Sequence, residues 1–311
     1  MGMRVHIDTD FGGDTDDACA VAMTLGWPDV ELVGITTTAD LDGQRAGYLC
    51  RFLELAGRRG VRVAAGACRS LTTGGPMGAL PGHERYWGMP APARPSPLGV
   101  AMDLLAHSIE LGATIVALGP YTNLALLQQA RPGWLDGVPV VAMGGWVEPP
   151  EEDLPAWGPE MDWNVQCDTS AALTVAASAD LTLVPLPVTL RAHLTAAELP
   201  RLAATGPLGQ LLARQARAHG QDHDMAVLGR AHAGLPGDLV NFHYDPVACA
   251  VAFGWDGAVV QKLRLLPVFD NDVLRFEPDQ AGRSTRVVVG IDSEAFANVW
   301  ITAVEVAQHR P

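Results

Sequence analysis

Short apolar runs of strand length alternate with longer Ala- and Leu-rich stretches along this chain, and this alternation constrains its fold more than any other feature. Strands that alternate with helices predict βα units around a mostly parallel sheet. We expect strands at residues 5–7, 30–36, 61–64, 115–118, 138–143 and 181–186. We expect helices at residues 17–25, 42–56, 100–111, 122–129 and 169–177, with Asp42 and Thr169 as N-caps.

The remaining segments complete the α/β pattern. Residues 72–97 are rich in Gly and Pro and predict a long loop of the kind that often forms a lid or a binding site. Residues 191–235 predict amphipathic helix, and residues 242–253 predict a loop that enters a buried helix. Residues 259–267 and 286–291 predict late strands, arranged as a hairpin at one sheet edge. Without an internal repeat or a linker, we expect one α/β domain over residues 1–311, with a mostly parallel central sheet flanked by helices.

Charge and cysteine content exclude several classes of protein. The chain carries 21 basic and 35 acidic side chains, a net charge of −14, which disfavours bulk binding to nucleic acid or to anionic membranes. Its five cysteines are widely spaced without a CxxC pair, which argues against a disulfide framework or a zinc ribbon. No apolar run approaches the roughly 18–20 residues of a membrane span. We therefore expect a soluble, cytoplasmic protein with neither a membrane nor a nucleic-acid partner.

A dense acidic cluster follows the first predicted strand. Its members are Asp8, Asp10, Asp14, Asp16 and Asp17. Carboxylates this close raise one another's pKa unless a cation compensates them. Oxygen ligands select hard ions, and Ca²⁺ tolerates irregular coordination better than Mg²⁺. Gly12 and Gly13 allow the tight turn that folds the later carboxylates back over the earlier ones. The cluster therefore indicates a metal site.

Three other interpretations of the cluster fit less well. Favourable acids at a helix N-terminus would explain Asp16 and Asp17 but not the acids on the strand. An EF-hand loop needs an acid where Gly12 stands. A phosphatase of the haloacid dehalogenase type also begins with Asp-x-Asp after a strand, but the following Thr or Val is missing and the single lysine is Lys262.

The acidic segment at residues 8–18 resembles the DTDPGxDDA motif with which the nucleoside hydrolase family holds Ca²⁺. Phe11 replaces the proline, and two extra residues precede Asp16. Four further segments are similar to family motifs in the same order: residues 117–125 to LGPLTNIA, 140–145 to VMGG, 162–168 to EFN…DP and 244–246 to HDP. The resemblance spans residues 3 to about 255 and implies the family's fold, with a Rossmann-like core.

The resemblance also implies an activity, which is Ca²⁺-dependent hydrolysis of the N-glycosidic bond of ribonucleosides to ribose and free base in purine or pyrimidine salvage. The implied metal ligands are Asp10, Asp17, the carbonyl of Leu118 and Asp245. Asp10 would also be the general base toward a Ca²⁺-bound water. Family members are usually dimers or tetramers, so the resemblance implies a homo-oligomer.

The same resemblance assigns substrate contacts. Asp16, Asp162 and Asn164 would hold the ribose hydroxyls, with Met143 beside them. The family usually has Glu where this chain has Asp162, which is one methylene shorter, so Glu160 would share the 5′-hydroxyl contact. One or more of the tryptophans near the site would stack on the nucleobase. These are Trp87, Trp146, Trp157 and Trp163.

The residue that would activate the leaving base is where this chain matches the family motif least well. Where many members carry His before the late Asp, this chain has Tyr244, with His243 one position earlier. His83 in the long loop is the other candidate. Two alternative functions stay open: a catalytically weak homologue that binds ribose or nucleosides, and a hydrolase of a modified riboside.

Overall fold

The computed structural model describes residues 2–309 and arranges them around one large sheet. The strands are β1 (Met3–Thr9), β2 (Val30–Thr37), β3 (Val63–Ala65), β4 (Thr114–Ala117), β5 (Pro139–Met143), β6 (Asp180–Val184), β7 (His193–Thr195), β8 (Leu239–Phe242), β9 (Ala258–Asp270), β10 (Val273–Pro278) and β11 (Arg283–Ile291). The helices are α1 (Asp16–Gly26), α2 (Gln44–Leu55), α3 (His83–Tyr86), α4 (Leu98–Glu110), α5 (Thr122–Ala130), α6 (Trp163–Cys167), α7 (Thr169–Ser178), α8 (Leu186–Thr189), α9 (Leu199–Ala204), α10 (Pro207–Asp222), α11 (Met225–Ala231), α12 (Tyr244–Ala252) and α13 (Ser293–His309).

The nine-stranded sheet has the order β10-β9-β11-β6-β5-β4-β1-β2-β3. Its strands from β3 to β11 pair in parallel, and β9 and β10 extend one edge in antiparallel fashion. The chain moves outward from β1 to β3, crosses back to β4 beside β1, and then moves outward the other way. In such sheets ligands bind beyond the carboxyl ends of the strands where the order reverses, here between β1 and β4.

Two hydrophobic cores cover the two faces of the sheet. Ile7 and Val116 belong to the core formed with α1, α10, α12 and α13, and Trp300 of α13 is fully buried there. Ile115 and Ala117 belong to the core on the other face, formed with α4, α5 and α7. Burial of each large aliphatic side chain stabilises the fold by about 1.5–3 kcal/mol. The strand ends at the centre of the sheet are therefore held rigidly from both sides.

The predicted α/β fold with a mostly parallel, helix-flanked sheet is confirmed. The helical prediction for residues 191–235 missed β7, which forms a separate two-stranded sheet with β8. The predicted late strands are antiparallel neighbours but not a hairpin, because β10 lies between them in sequence and pairs with the outer side of β9. Asn271 and Asp272 make that turn with φ of 48° and 67°, the left-handed conformation of a type I′ hairpin.

Both predicted N-caps are wrong by one or more residues. Asp168, not Thr169, caps α7 and accepts the N–H of Ala171 at 3.2 Å. At α2 the cap comes from outside the helix, where Asp40 accepts the N–H groups of Arg45 and Ala46 at 2.9 and 3.0 Å. Asp42 stands in the turn between them with φ of 55°. In both cases the carboxylate of a nearby aspartate accepts hydrogen bonds from the first N–H groups of the helix.

The predicted long loop at residues 72–97 contains only the short helix α3. Its start is bound to Asp168, which accepts the N–H groups of Leu71 and Thr72 at 2.8 and 3.1 Å. Its end is bound by the Arg94 N–H, which donates to the Gly43 carbonyl at 2.8 Å. Both ends of the loop are thus fixed to the sheet and its helices. None of the described helices is long and apolar enough to cross a membrane.

Candidate active site

A cavity of about 410 Å³ lies beyond the carboxyl ends of β1 and β4, where the strand order reverses. Nine of the predicted site residues line it: Asp10, Asp16, Asp17, Leu118, Met143, Asp162, Asn164, Tyr244 and Asp245. They come from five separate segments of the chain, which the parallel sheet brings to one edge. Further lining residues include Asp14, Arg45, Trp157, Trp163, His219 and His223.

One side of the cavity, which we call the carboxylate wall, consists of Asp10, Asp16, Asp17 and Asp245. β1 ends at Thr9, and Gly12 turns the chain with φ of 97° so that α1 begins at Asp16. Asp245 lies in the first turn of α12. One carboxylate oxygen from each of Asp16, Asp17 and Asp245 lies within 4.8 Å of the other two. The N-termini of two helices therefore face one another across a group of buried acids.

The electrostatics of this wall favour a cation. Burial raises the pKa values of all four carboxyls, and their mutual repulsion raises those of Asp16, Asp17 and Asp245 further. Hydroxyl contacts offset only part of this cost: Thr9 donates a hydrogen bond to Asp17. Carboxylate oxygens at helix N-termini, beside the strand-end carbonyl of Leu118, form an all-oxygen donor set that suits a hard divalent ion.

Arg45, in the first turn of α2, fixes the backbone of the carboxylate wall at Asp10 and Phe11. Its guanidinium donates hydrogen bonds to the backbone carbonyls of Asp10 and Phe11, the second at 3.2 Å, and its Nε donates to the Ala39 carbonyl at 2.9 Å. The positive charge lowers the pKa values of Asp10 and Asp17 against the effect of burial. Sequence reasoning missed this residue, because nothing in the local pattern of an amphipathic helix distinguishes an arginine that turns inward.

A hydrogen-bonded chain of buried side chains lies under β1 and fixes its end. Asp8 accepts hydrogen bonds from Thr36 and from the Asn123 amide, the latter at 2.7 Å. His6 bridges Ser108 and Thr36 at 2.8 and 3.0 Å. Burial lowers the pKa of His6 to about 3 and raises that of Asp8 to about 7. This network holds the strand that ends one residue before Asp10.

Asp162 and Asn164 lie together on the next side of the cavity. The Asn164 amide donates to the carbonyls of Leu118 and Met143 at 2.7 and 3.2 Å, so it ties α6 to the ends of β4 and β5. Asp162 accepts the N–H groups of Gly145 and Val165, and burial raises its pKa to about 6. Its carboxylate is therefore an N-cap as well as a cavity residue.

A second group of lining residues, which we call the aromatic wall, consists of Trp157, Trp163, His219, His223 and Tyr244. His219 is buried in α10, and its Nδ1 lies 3.4 Å from Oδ1 of Asp14. The rings of His219 and His223 are 4.3 Å apart. Sequence reasoning named neither histidine. Their i, i+4 spacing, which places both on one face of a helix, is the signal that could have identified them.

Four residues predicted for the site do not line the cavity. His83 is half-buried on α3, and Glu160 is exposed. Trp87 is buried against Phe11 and Tyr48, with ring centroids 5.7 and 4.4 Å apart, so it packs the core instead of facing a nucleobase. Of the other tryptophans considered, Trp157 and Trp163 line the cavity and Trp146 does not.

His243 is the fourth of these residues and lies in the core. It packs 4.3 Å from the ring of Trp300, and neither ring nitrogen makes a hydrogen bond. Burial lowers its pKa to about 3, so the ring is neutral at physiological pH. Because it precedes α12 by one residue, its side chain points away from the face that carries Asp245 into the cavity.

The chain matches known proteins over nearly its whole length. Residues 5–298 match the family model described as inosine-uridine preferring nucleoside hydrolase. The pyrimidine-specific ribonucleoside hydrolase RihA of Salmonella typhimurium is 31% identical over 226 residues, covering 68% of this chain and 70% of that protein. Two solved structures share the fold over 98% of this chain and 99% of theirs. They are a plant nucleoside hydrolase (TM-score 0.78, 22% identity) and a purine-preferring ribonucleoside hydrolase from Gardnerella vaginalis (TM-score 0.79, 23% identity).

Proposed function

This chain belongs to the nucleoside hydrolases, enzymes that cleave the N-glycosidic bond of ribonucleosides, and we propose that it does so with Ca²⁺ and with Asp10 as the general base. The observation that supports this most directly is the carboxylate wall, where three buried acids offer oxygens within 4.8 Å of one another. Burying this many like charges without a cation would be costly. A divalent ion is the simplest compensation.

We propose that the ion is held by Asp10, Asp17, Asp245 and the carbonyl of Leu118. All four line the cavity. When bound, such an ion acts as a Lewis acid and lowers the pKa of water. Asp16 lies beside these residues and is positioned either to complete the ligand set or to accept a ribose hydroxyl.

The protein side chains then carry the reaction. Asp10 removes a proton from the attacking water, whose oxygen forms a bond to C1′ of the ribose. Cleavage of an N-glycosidic bond passes through a ribosyl cation, so carboxylates beneath the sugar stabilise positive charge as it develops. Asp16, Asp162 and Asn164 hold the ribose hydroxyls, because carboxylates accept and amides both donate and accept hydrogen bonds. Tyr244 donates a hydrogen bond to the nucleobase.

The nucleobase would lie against the aromatic wall. Trp157 and Trp163 line the cavity there, and stacking on an aromatic ring contributes roughly 1–3 kcal/mol per base in nucleic-acid complexes. The similarity to RihA, which is described as pyrimidine-specific, favours uridine and cytidine as first substrates to test. We further propose that the protein works in the cytoplasm as a homo-oligomer of two or four copies, which light scattering of the purified protein would measure.

The test is release of reducing sugar from uridine, cytidine and inosine by purified protein, with and without EDTA. We expect ribose release from at least one nucleoside, its loss in EDTA and its recovery with added Ca²⁺. Release that is unaffected by EDTA would refute the metal requirement. No release from any nucleoside, together with tight ribose binding, would instead identify a binding protein. Activity confined to modified ribosides in a wider panel would redefine the substrate.

A further inference from the structure

The departing nucleobase needs a proton, and the structure offers few groups that could supply it. When the C1′–N bond breaks, its electron pair goes to the nucleobase nitrogen, and an unprotonated base is a poor leaving group. Histidine is the side chain that most often supplies a proton near neutral pH. Among the described residues, only two histidines line the cavity, His219 and His223. Of the sequence-based candidates, His83 and His243 lie outside it, and Tyr244, which lines it, is a weaker acid than histidine near neutral pH.

On the basis of the proposed function, we propose that His219 is the general acid that protonates the leaving nucleobase and that Asp14 is a positioning residue that orients its ring. His219 is 8% exposed, and its Nδ1 is buried without a hydrogen bond. Asp14 Oδ1 lies 3.4 Å from that nitrogen. Catalytic hydrogen bonds are often this long before the substrate binds and shorten in the complex. Closure of this contact would fix the ring and direct Nε2 toward the cavity.

The two residues reach this contact from separate parts of the fold. Asp14 lies in the turn between β1 and α1, between Asp10 and Asp16 of the carboxylate wall. His219 lies near the end of α10, a 16-residue helix whose first half is packed in the core. The turn is lengthened by two residues relative to the family motif, and Asp14 lies within this lengthened segment. The contact therefore links the lengthened turn to the aromatic wall.

The charges around His219 decide how readily it holds a proton. Its pKa lies below the ordinary value, because burial and the neighbouring ring of His223 lower it by more than the carboxylates of Asp14 and Asp222 raise it. Asp222 is also engaged by Arg85 and by the Tyr86 hydroxyl at 3.0 Å. Asp14 is thus the acid that favours the protonated ring from inside the cavity. An aspartate that orients and stabilises an imidazolium is a recurrent arrangement in catalysis.

The proposed step moves two protons, one from the attacking water and one to the base. Water adds its oxygen to C1′ and loses one proton to Asp10, while the C1′–N bond breaks and His219 gives one proton to the base nitrogen. The products are ribose and the free base. Proton transfer from Asp10 to His219 through solvent restores both residues, so no other reactant is needed.

The test compares a nucleoside with a riboside whose leaving group needs no proton. 4-Nitrophenyl β-D-ribofuranoside releases a stable phenolate, so its hydrolysis requires the carboxylate wall but not a general acid. In His219→Gln we expect kcat on uridine to fall by about 10²–10⁴-fold, the usual contribution of a general acid, while kcat on the nitrophenyl riboside stays within a few-fold. Asp14→Asn should show the same selectivity with a smaller loss. His107→Gln, on the exposed side of α4, is the matched control.

Each outcome separates the two proposals. Retained activity of His219→Gln on uridine would overturn the assignment of His219. So would an equal loss of activity on uridine and on the nitrophenyl riboside in both His219→Gln and His219→Asn, if the Tm of these variants is unchanged. Wild-type protein that hydrolyses neither riboside would overturn the proposed function and this assignment with it. Selective loss on uridine supports both.

Discussion

The two walls of the cavity are built in different ways. Three of the four acids in the carboxylate wall come from residues 10–17, a single turn between a strand and a helix. The aromatic wall draws its members from four segments, and α10 with its C-cap residue contributes two of them. Chemistry that depends on a compact local turn is therefore concentrated in one wall, and contacts that depend on tertiary packing are concentrated in the other. We expect the carboxylate wall to determine whether the reaction occurs and the aromatic wall to determine on which base.

Removing the proposed base should have the largest effect. Asp10→Asn should lower kcat/KM on the preferred nucleoside by about 10³-fold or more, since the amide cannot accept a proton. The fold should persist, because the substitution removes one of several buried like charges. Steady-state assays and thermal unfolding would measure both effects, with Asp256→Asn in an exposed turn as the control. Near-normal activity of Asp10→Asn would refute the role of the carboxylate wall.

Calcium should stabilise the folded protein. A ligand that binds only the folded state at 100 times its Kd adds about 2.7 kcal/mol to the free energy of unfolding. We expect an increase of this order between EGTA and excess Ca²⁺ in urea unfolding. Asp245→Asn should reduce the increase, whereas Asp256→Asn should not. Equal stability of the wild-type protein in Ca²⁺ and in EGTA would contradict a calcium site.

The buried ring of His6, beneath the carboxylate wall, should contribute less to stability as the pH falls. The pKa of His6 is lowered to about 3, whereas a histidine in the unfolded chain titrates near 6.5. At His6 the unfolded chain binds more protons between these values, so the contribution of His6 to the free energy of unfolding falls as the pH falls, whereas the raised pKa of Asp8 has the opposite effect. For this ring the loss is about 2 kcal/mol between pH 7 and pH 5. His6→Gln should remove this contribution from the pH profile, which urea unfolding between pH 5 and pH 7 would measure. Identical profiles for His6→Gln and wild type would contradict it.

The smallest effect is expected in the aromatic wall. Trp163 is half exposed, so its loss should cost about 1 kcal/mol of nucleobase binding, the low end of the stacking range. Trp163→Ala should therefore raise KM about five-fold. Because Trp163 also forms a hydrogen bond with Asp10, kcat should fall as well, but far less than in Asp10→Asn. Trp134→Ala, which removes a ring that contacts Arg131 away from the cavity, is the control. A change in kcat as large as that of Asp10→Asn would show that the two walls do not divide the work as proposed.

The sequence predicted the carboxylate wall far better than the aromatic wall, and the reason is physical. Asp10, Asp16 and Asp17 occur in one stretch whose charge density is unusual for a strand–helix junction. His219 lies in a helix whose polar face is ordinary and His223 is its C-cap, and only the packing of α10 beside the turn at Asp14 brings them into the cavity. His243 was predicted for the site but lies in the core, whereas Tyr244, the next residue, lines the cavity.

The same limit applies to the fold. Apolar runs predicted the parallel strands, because each run is buried on both faces. β7 and β10 were missed because they are short or mixed in polarity and are defined by pairing with β8 and β9. The N-caps were misplaced because Asp40 and Asp168 reach helical N–H groups through geometry that the sequence does not show.

The loop at residues 72–97 has one further consequence. Asp168 fixes its beginning and Gly43 its end, while Gly78 and Ala79 from its middle reach the cavity. A segment with both ends anchored can change length and composition in its middle without disturbing the sheet, since loop closure costs little for added residues. New substrate preferences could therefore evolve in this part of the chain while the acids that carry the chemistry stay fixed.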